Sequence, residues 1–241
     1  MTHEPVPASD HRAAPGSRSA TIVPGGYAAT EHRPLLRGWL HLGALVVMLV
    51  IGPLLISDAP STGTRAALVV YVVSLAALFG VSASFHRIVW SPGARRRMRR
   101  ADHSTIFLAI AGTYTAVAAL SLGGSTQVAT LAIVWGGGLV GVLLRQFWLD
   151  APKWAVTLPY VVVGWSALAV APQLVEGLSA PGFALLLAGG IVYTAGALVY
   201  ARKHPDPAPL FFGYHEIFHA CTIVGAGLQM AVVAFFAIPR Y

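Results

Sequence analysis

Two pairs of residues in this sequence have a spacing that chemistry can use. Ser82 and His86 are four apart, as are His215 and His219. On an α-helix, that spacing puts both members of a pair on one face. Three imidazoles drawn from two helices are a sufficient ligand set for Zn²⁺. Catalytic zinc commonly keeps three protein ligands and leaves one position for water, whose pKa it lowers toward about 7. His86, His215 and His219 are the candidate metal ligands. Asp102 is the natural acceptor for the proton that such a water loses, and Ser82 can hydrogen-bond that carboxylate or a substrate oxygen. Neutral histidines also limit the cost of holding a cation in apolar surroundings. His41 and His103 have no partner at ligand spacing and read as polar contacts between helices. Cys221 is the single cysteine and reads as packing.

The segment His215-Glu216-Ile217-Phe218-His219 matches H-E-x-x-H, the zinc peptidase signature, in which the glutamate is the base. The common peptidases of that type draw their third ligand from downstream. After His219 the sequence offers no His, Asp or Glu, and Cys221 is its one possible ligand. The third ligand must therefore come from upstream, at His86, and the peptidase reading is set aside. Glu216 is left as a rival base and is expected to be exposed at the interface.

Long apolar runs must carry these residues. We read seven: Gly38–Ile56, Ala66–Ile88, Thr105–Leu122, Val128–Leu144, Trp154–Val175, Phe183–Tyr200 and His215–Ile238. Each approaches the roughly 20 residues that cross a bilayer. They are continuous rather than alternating, which predicts helices and excludes a closed β-barrel. Composition agrees: 56% of the 241 residues are hydrophobic and only 10% charged, with a mean hydropathy of +0.68. Soluble domains carry roughly a quarter charged residues. The expected fold class is an all-α integral membrane protein, a seven-helix bundle over 35–241 preceded by a disordered cytoplasmic tail over 1–34. Multi-pass insertion in a membrane is the expected location.

The net charge of +7 falls between the apolar runs. With the N-terminus inside, fourteen of the sixteen basic residues lie on inner segments, and only Arg65 and Arg240 lie outside. The positive-inside rule therefore predicts a cytoplasmic N-terminus and an external C-terminus. It also brings Ser82, His86, Asp102, His215 and His219 into one layer near the cytoplasmic face. The cluster Arg95, Arg96, Arg97, Arg99 and Arg100 is expected to be a solvated loop that touches anionic inner-leaflet lipids rather than nucleic acid.

The motifs Ser82-Ala83-Ser84-Phe85-His86, Asp102-His103 leading to Ala111-Gly112-Thr113-Tyr114-Thr115, and Gly213-Tyr214-His215-Glu216-Ile217-Phe218-His219, in this order on seven spans, resemble the haemolysin III family. That family is the bacterial branch of the progestin and adipoQ receptor (PAQR) superfamily, which implies multi-pass insertion in the bacterial plasma (inner) membrane. The resemblance covers about residues 33–238. It implies a zinc on the cytoplasmic side held by His86, His215 and His219, with Asp102 and Ser82 as the accompanying acid and hydroxyl. The wider superfamily includes alkaline ceramidases, which implies hydrolysis of a lipid amide or ester. The family's name implies the alternative, a non-enzymatic pore-forming or sensing protein with a structural zinc. The sequence departs from many relatives at Arg37-Gly38-Trp39-Leu40-His41, which lacks a Glu/Asn pattern, and at Ala116, where relatives often carry Pro.

Overall fold

The structure is a computed structural model that describes residues 22–23, 27–28, 34–148 and 150–241. The expected disordered tail, with Arg12, Arg18 and Arg33, lies outside the described residues apart from two short strands, Ile22–Val23 and Tyr27–Ala28, paired antiparallel. Among the described residues, the elements after it are helices, apart from an isolated β-bridge between Ala208 and Phe212. The helices are α1 (Trp39–Ser57), α2 (Thr62–Arg87), α3 (Pro92–Ser121), α4 (Gly124–Phe147), α5 (Lys153–Gly164), α6 (Ala171–Arg202) and α7 (Tyr214–Val232). Among the described residues, six helical stretches are long and apolar enough to cross a membrane. Outward faces such as Val46, Val50 and Leu54 on α1, or Leu139 and Val140 on α4, are exposed and apolar, as lipid contact requires.

Local chemistry fixes the helix ends. Ser61 and Thr64 form a reciprocal capping box at the start of α2, with Thr64 N donating to Ser61 Oγ at 3.2 Å and Ser61 N to Thr64 Oγ1 at 3.0 Å. Gly38 enters α1 at φ 79°, and a side chain there would meet Arg87 and His86. This glycine lets the start of α1 close against the end of α2. Deeper in the bundle, a Cβ on Gly112 of α3 would fall 2.0 Å from Ser74 Oγ of α2, so the two helices meet at backbone range.

One expectation needs correcting. The arginine cluster is not a loop: Arg95 to Arg100 occupy the first turns of α3, which begins at Pro92 with Ser91 as its N-cap. Hydropathy finds only the part of a helix that lipid covers, and this one continues into water. The region 154–200 is expected as two spans, Trp154–Val175 and Phe183–Tyr200. The helical stretch Thr157–Arg202 is 46 residues long, interrupted by a 3₁₀ turn at Trp165–Val170 and by Ser179, whose φ of 68° is non-helical. The indole of Trp165 donates to Thr194 Oγ1 at 2.9 Å. A straight helix would separate residues 29 apart by about 43 Å, so the stretch folds back on itself. The 3₁₀ segment is tolerated because Tyr114 of α3 serves its backbone: the phenol donates to Gly164 O and accepts from Ala167 N, each at 2.7 Å.

Candidate metal centre

The two i,i+4 pairs converge at one end of the bundle. His86 leaves the last turn of α2, and His215 and His219 leave the first two turns of α7. One nitrogen from each ring can be chosen so that all three lie within 4.8 Å of one another. The ring centroids are 4.9 Å apart for His86–His215, 5.1 Å for His86–His219 and 4.6 Å for His215–His219. His86 and His219 are 4% and 3% exposed. A tetrahedral centre with nitrogens about 2.0–2.1 Å from the ion separates its ligands by about 3.4 Å, so small side-chain rotations close the set. Two buried imidazoles and the half-buried one of His215, at this range, can hold a divalent metal.

Asp102, on α3, faces the same space, and its carboxylate accepts a hydrogen bond from the Ser82 hydroxyl. Ser82, Asp102, His215 and His219 all border an internal cavity of about 180 Å³ that runs away from the histidines between apolar side chains. Tyr160 and Tyr200, which spacing on a single helix does not flag, border it near Asp102. Tyr160 donates to the His103 carbonyl at 3.0 Å, and Tyr200 stands edge-on to His215 at 5.6 Å. His103 also borders the cavity, with its Nδ1 2.7 Å from the Arg99 carbonyl one turn earlier.

His41 is the residue that sequence spacing undervalued. It is 2% exposed, and its ring lies parallel to that of His219, with centroids 4.0 Å apart and 7° between planes. Its other face neighbour is Phe79, edge-on at 5.3 Å. His41 thus backs one of the candidate ligands and restricts the plane it can adopt. The one available signal was depth, because His41 sits in the first turn of a helix that starts in the same layer. A stacking partner on another helix leaves no trace in local spacing. Cys221 packs on Gly196 of α6, where a Cβ would come within 2.6 Å.

Glu216 is not exposed. It is 1% accessible, its carboxylate pairs with the Arg37 guanidinium, and its Oε2 accepts from Gly213 N at 3.0 Å. Adjacent helix positions differ by about 100°, so a residue next to His215 faces a different neighbour, here the segment before α1. The glutamate that would be the base of an H-E-x-x-H peptidase is therefore committed to an ion pair and a helix cap. Breaking a buried pair strands the remaining charge and costs about 3–5 kcal/mol. Glu216→Ala should therefore lower stability by about that amount, read as a fall in unfolding temperature of the purified protein. A change under about 1 kcal/mol would mean that the pair is solvated.

The family profile described as Haemolysin-III related matches residues 29–230, most of the chain and all three histidines. The chain belongs to the haemolysin III family. Hemolysin-3 of Bacillus cereus is 34% identical over 203 residues, covering 83% of this chain and 86% of that protein. A Hemolysin-3 homolog of Bacillus subtilis (strain 168) is 28% identical over 199 residues, covering 83% and 88%. No solved structure matches the chain. As a haemolysin III protein with six apolar helical stretches, it is a multi-pass bacterial membrane protein.

Proposed function

We propose that this haemolysin III protein is a zinc-dependent hydrolase of a lipid amide or ester, working at the cytoplasmic side of the membrane. The observation that carries the reading is the convergence of His86, His215 and His219, the last two of which border an apolar cavity together with Asp102 and Ser82. A lipid chain suits such a cavity, and a scissile carbonyl would then stand beside the histidines. Zinc held there supplies Lewis acidity and makes water nucleophilic at neutral pH. Asp102 takes the proton of the attacking water and returns it to the leaving group. Ser82, donating to Asp102, aims the carboxylate. The apolar walls keep bulk water away from the reacting carbonyl. Metal analysis of the purified protein, joined to an untargeted lipid-turnover assay, tests the reading. Metal-loaded protein that turns over no lipid amide or ester would overturn it.

The proposed topology has seven crossings, counting the two arms that meet at Ser179 separately, with the N-terminus inside and the C-terminus outside. Arg96 and Arg97, exposed on the first turns of α3, would then meet the inner leaflet. Anionic headgroups are the partner proposed for Arg95, Arg96, Arg97, Arg99 and Arg100, at about 1 kcal/mol for each basic residue near the surface. A reporter fused after Tyr241 should read as external and one inserted within 95–100 as cytoplasmic. The reverse at both sites would put the metal centre on the outer face.

The name of the Bacillus cereus relative favours a second reading, a cytolytic protein in which the metal is structural. Erythrocyte lysis by wild-type protein that persists in Asp102→Asn, without lipid turnover in either, would make that reading the better one.

A further inference from the structure

The cavity has polar groups far from the histidines, and one of them is unsatisfied. His215, His219, Thr222 and Gln229 line it from α7, at spacings of four, three and seven that keep them on one face. The hydroxyls of Thr113, Thr194 and Thr222 donate to carbonyls of their own helices. Gln229 is different. It is 7% exposed, its Nε2 donates to the Leu186 carbonyl at 3.1 Å, and its Oε1 has no hydrogen-bond partner. Exchanging the amide's oxygen and nitrogen would set oxygen against the Leu186 carbonyl, so the orientation is fixed. A Cβ on Gly189 of α6 would lie 2.6 Å from Nε2, so the facing helix is shaped around this amide. A buried acceptor without a donor is costly, and a native structure that keeps one calls for a missing partner.

We propose that Gln229 is a second subsite of the cavity, one that accepts a hydrogen bond from a hydroxyl carried on the hydrocarbon chain of the bound amphiphile. Ten residues of α7 separate it from His219, which is about 15 Å along the helix. Leu78, Ile106, Ile110 and Val117 line the cavity as apolar wall. The ligand class is therefore a single hydroxylated acyl chain with its polar head at the histidines and its hydroxyl about 15 Å away. This rests on the reading of the cavity as a lipid-chain site, but it concerns binding and needs no turnover.

The test is equilibrium binding of two series to the purified full chain: saturated fatty acids of increasing length and their ω-hydroxy counterparts. The hydroxylated acid should bind better than the plain one at a single length, where the hydroxyl reaches Gln229. In Gln229→Leu that preference should fall by about three- to tenfold, the worth of one hydrogen bond, while the plain acid binds as well as before. Gln229→Asn, which pulls the acceptor back by one methylene, should move the preferred length upward and shows that the fold survives change at this position. If both series bind without a length-specific preference, or Gln229→Leu keeps it, the subsite is wrong while the lipid-chain cavity stands. If neither series binds, the cavity reading fails and takes the subsite with it.

Discussion

Replacing His86 with alanine should abolish metal binding and every activity that depends on it. Three nitrogens come from two helices, two from α7 and one from α2. Alanine at 86 leaves only the α7 pair. Structural and catalytic zinc sites take at least three protein ligands, and two imidazoles rarely retain the ion through purification. Bound metal per protein, measured by elemental analysis, should fall from near one to background in His86→Ala, and likewise in His215→Ala and His219→Ala. Because a metal that binds only the folded state stabilises it, added Zn²⁺ should raise the unfolding temperature of the wild type and not that of these variants. Full metal content in any one of the three would show that the convergence of these rings serves packing alone.

Asp102→Asn should separate metal binding from chemistry. The side chain borders the cavity with His215 and His219 but is not among the three convergent ligands. Asparagine keeps the shape and an acceptor for Ser82 while removing a group that can take a proton. Metal content should stay near wild type. Hydrolysis of the lipid amide or ester should fall by roughly 10²–10⁴, the usual worth of a positioned general base. Ser82→Ala removes one hydrogen bond to the carboxylate, worth about 0.5–1.5 kcal/mol, and should cost only about two- to tenfold. Loss of metal in Asp102→Asn would move the aspartate into the coordination shell.

The buried pair of Arg37 and Glu216 joins these residues to stability. It ties the segment before α1 to the first turn of α7, next to His215, and Gly38 follows it at once with φ 79° against His86. The entry of α1, the end of α2 and the start of α7 are thus fastened to one another around the candidate ligands. Backing of His219 by His41 is a result of the same closure.

Membrane character, the helical class and the candidate ligands were all decided by the sequence itself. Lipid leaves a lone segment no way to pair its backbone except a helix, so apolar length alone dictates class. A spacing of four on such a helix dictates a shared face, which is why His215 and His219 were found as a pair. The alternation of spans then predicted one layer for the end of the second span and the starts of the third and seventh, where His86 and Asp102 could join them. What only the tertiary structure decided involves relations between helices, which no local period encodes. His41 meets His219 across the bundle, and Glu216 turns inward because Arg37 waits there from 179 positions away in sequence. The fold-back at Ser179 is divided between the two: Glu176 to Gly182 breaks the apolar run and so separates two spans, while the reversal itself shows in the backbone and in Trp165 reaching Thr194. The arginines of α3 are a further case, since hydropathy marks where lipid ends and not where a capped helix does. The cavity with its unsatisfied amide at Gln229 could be seen only once the helices had been brought together, because an enclosed volume is a property of packing and not of any one segment.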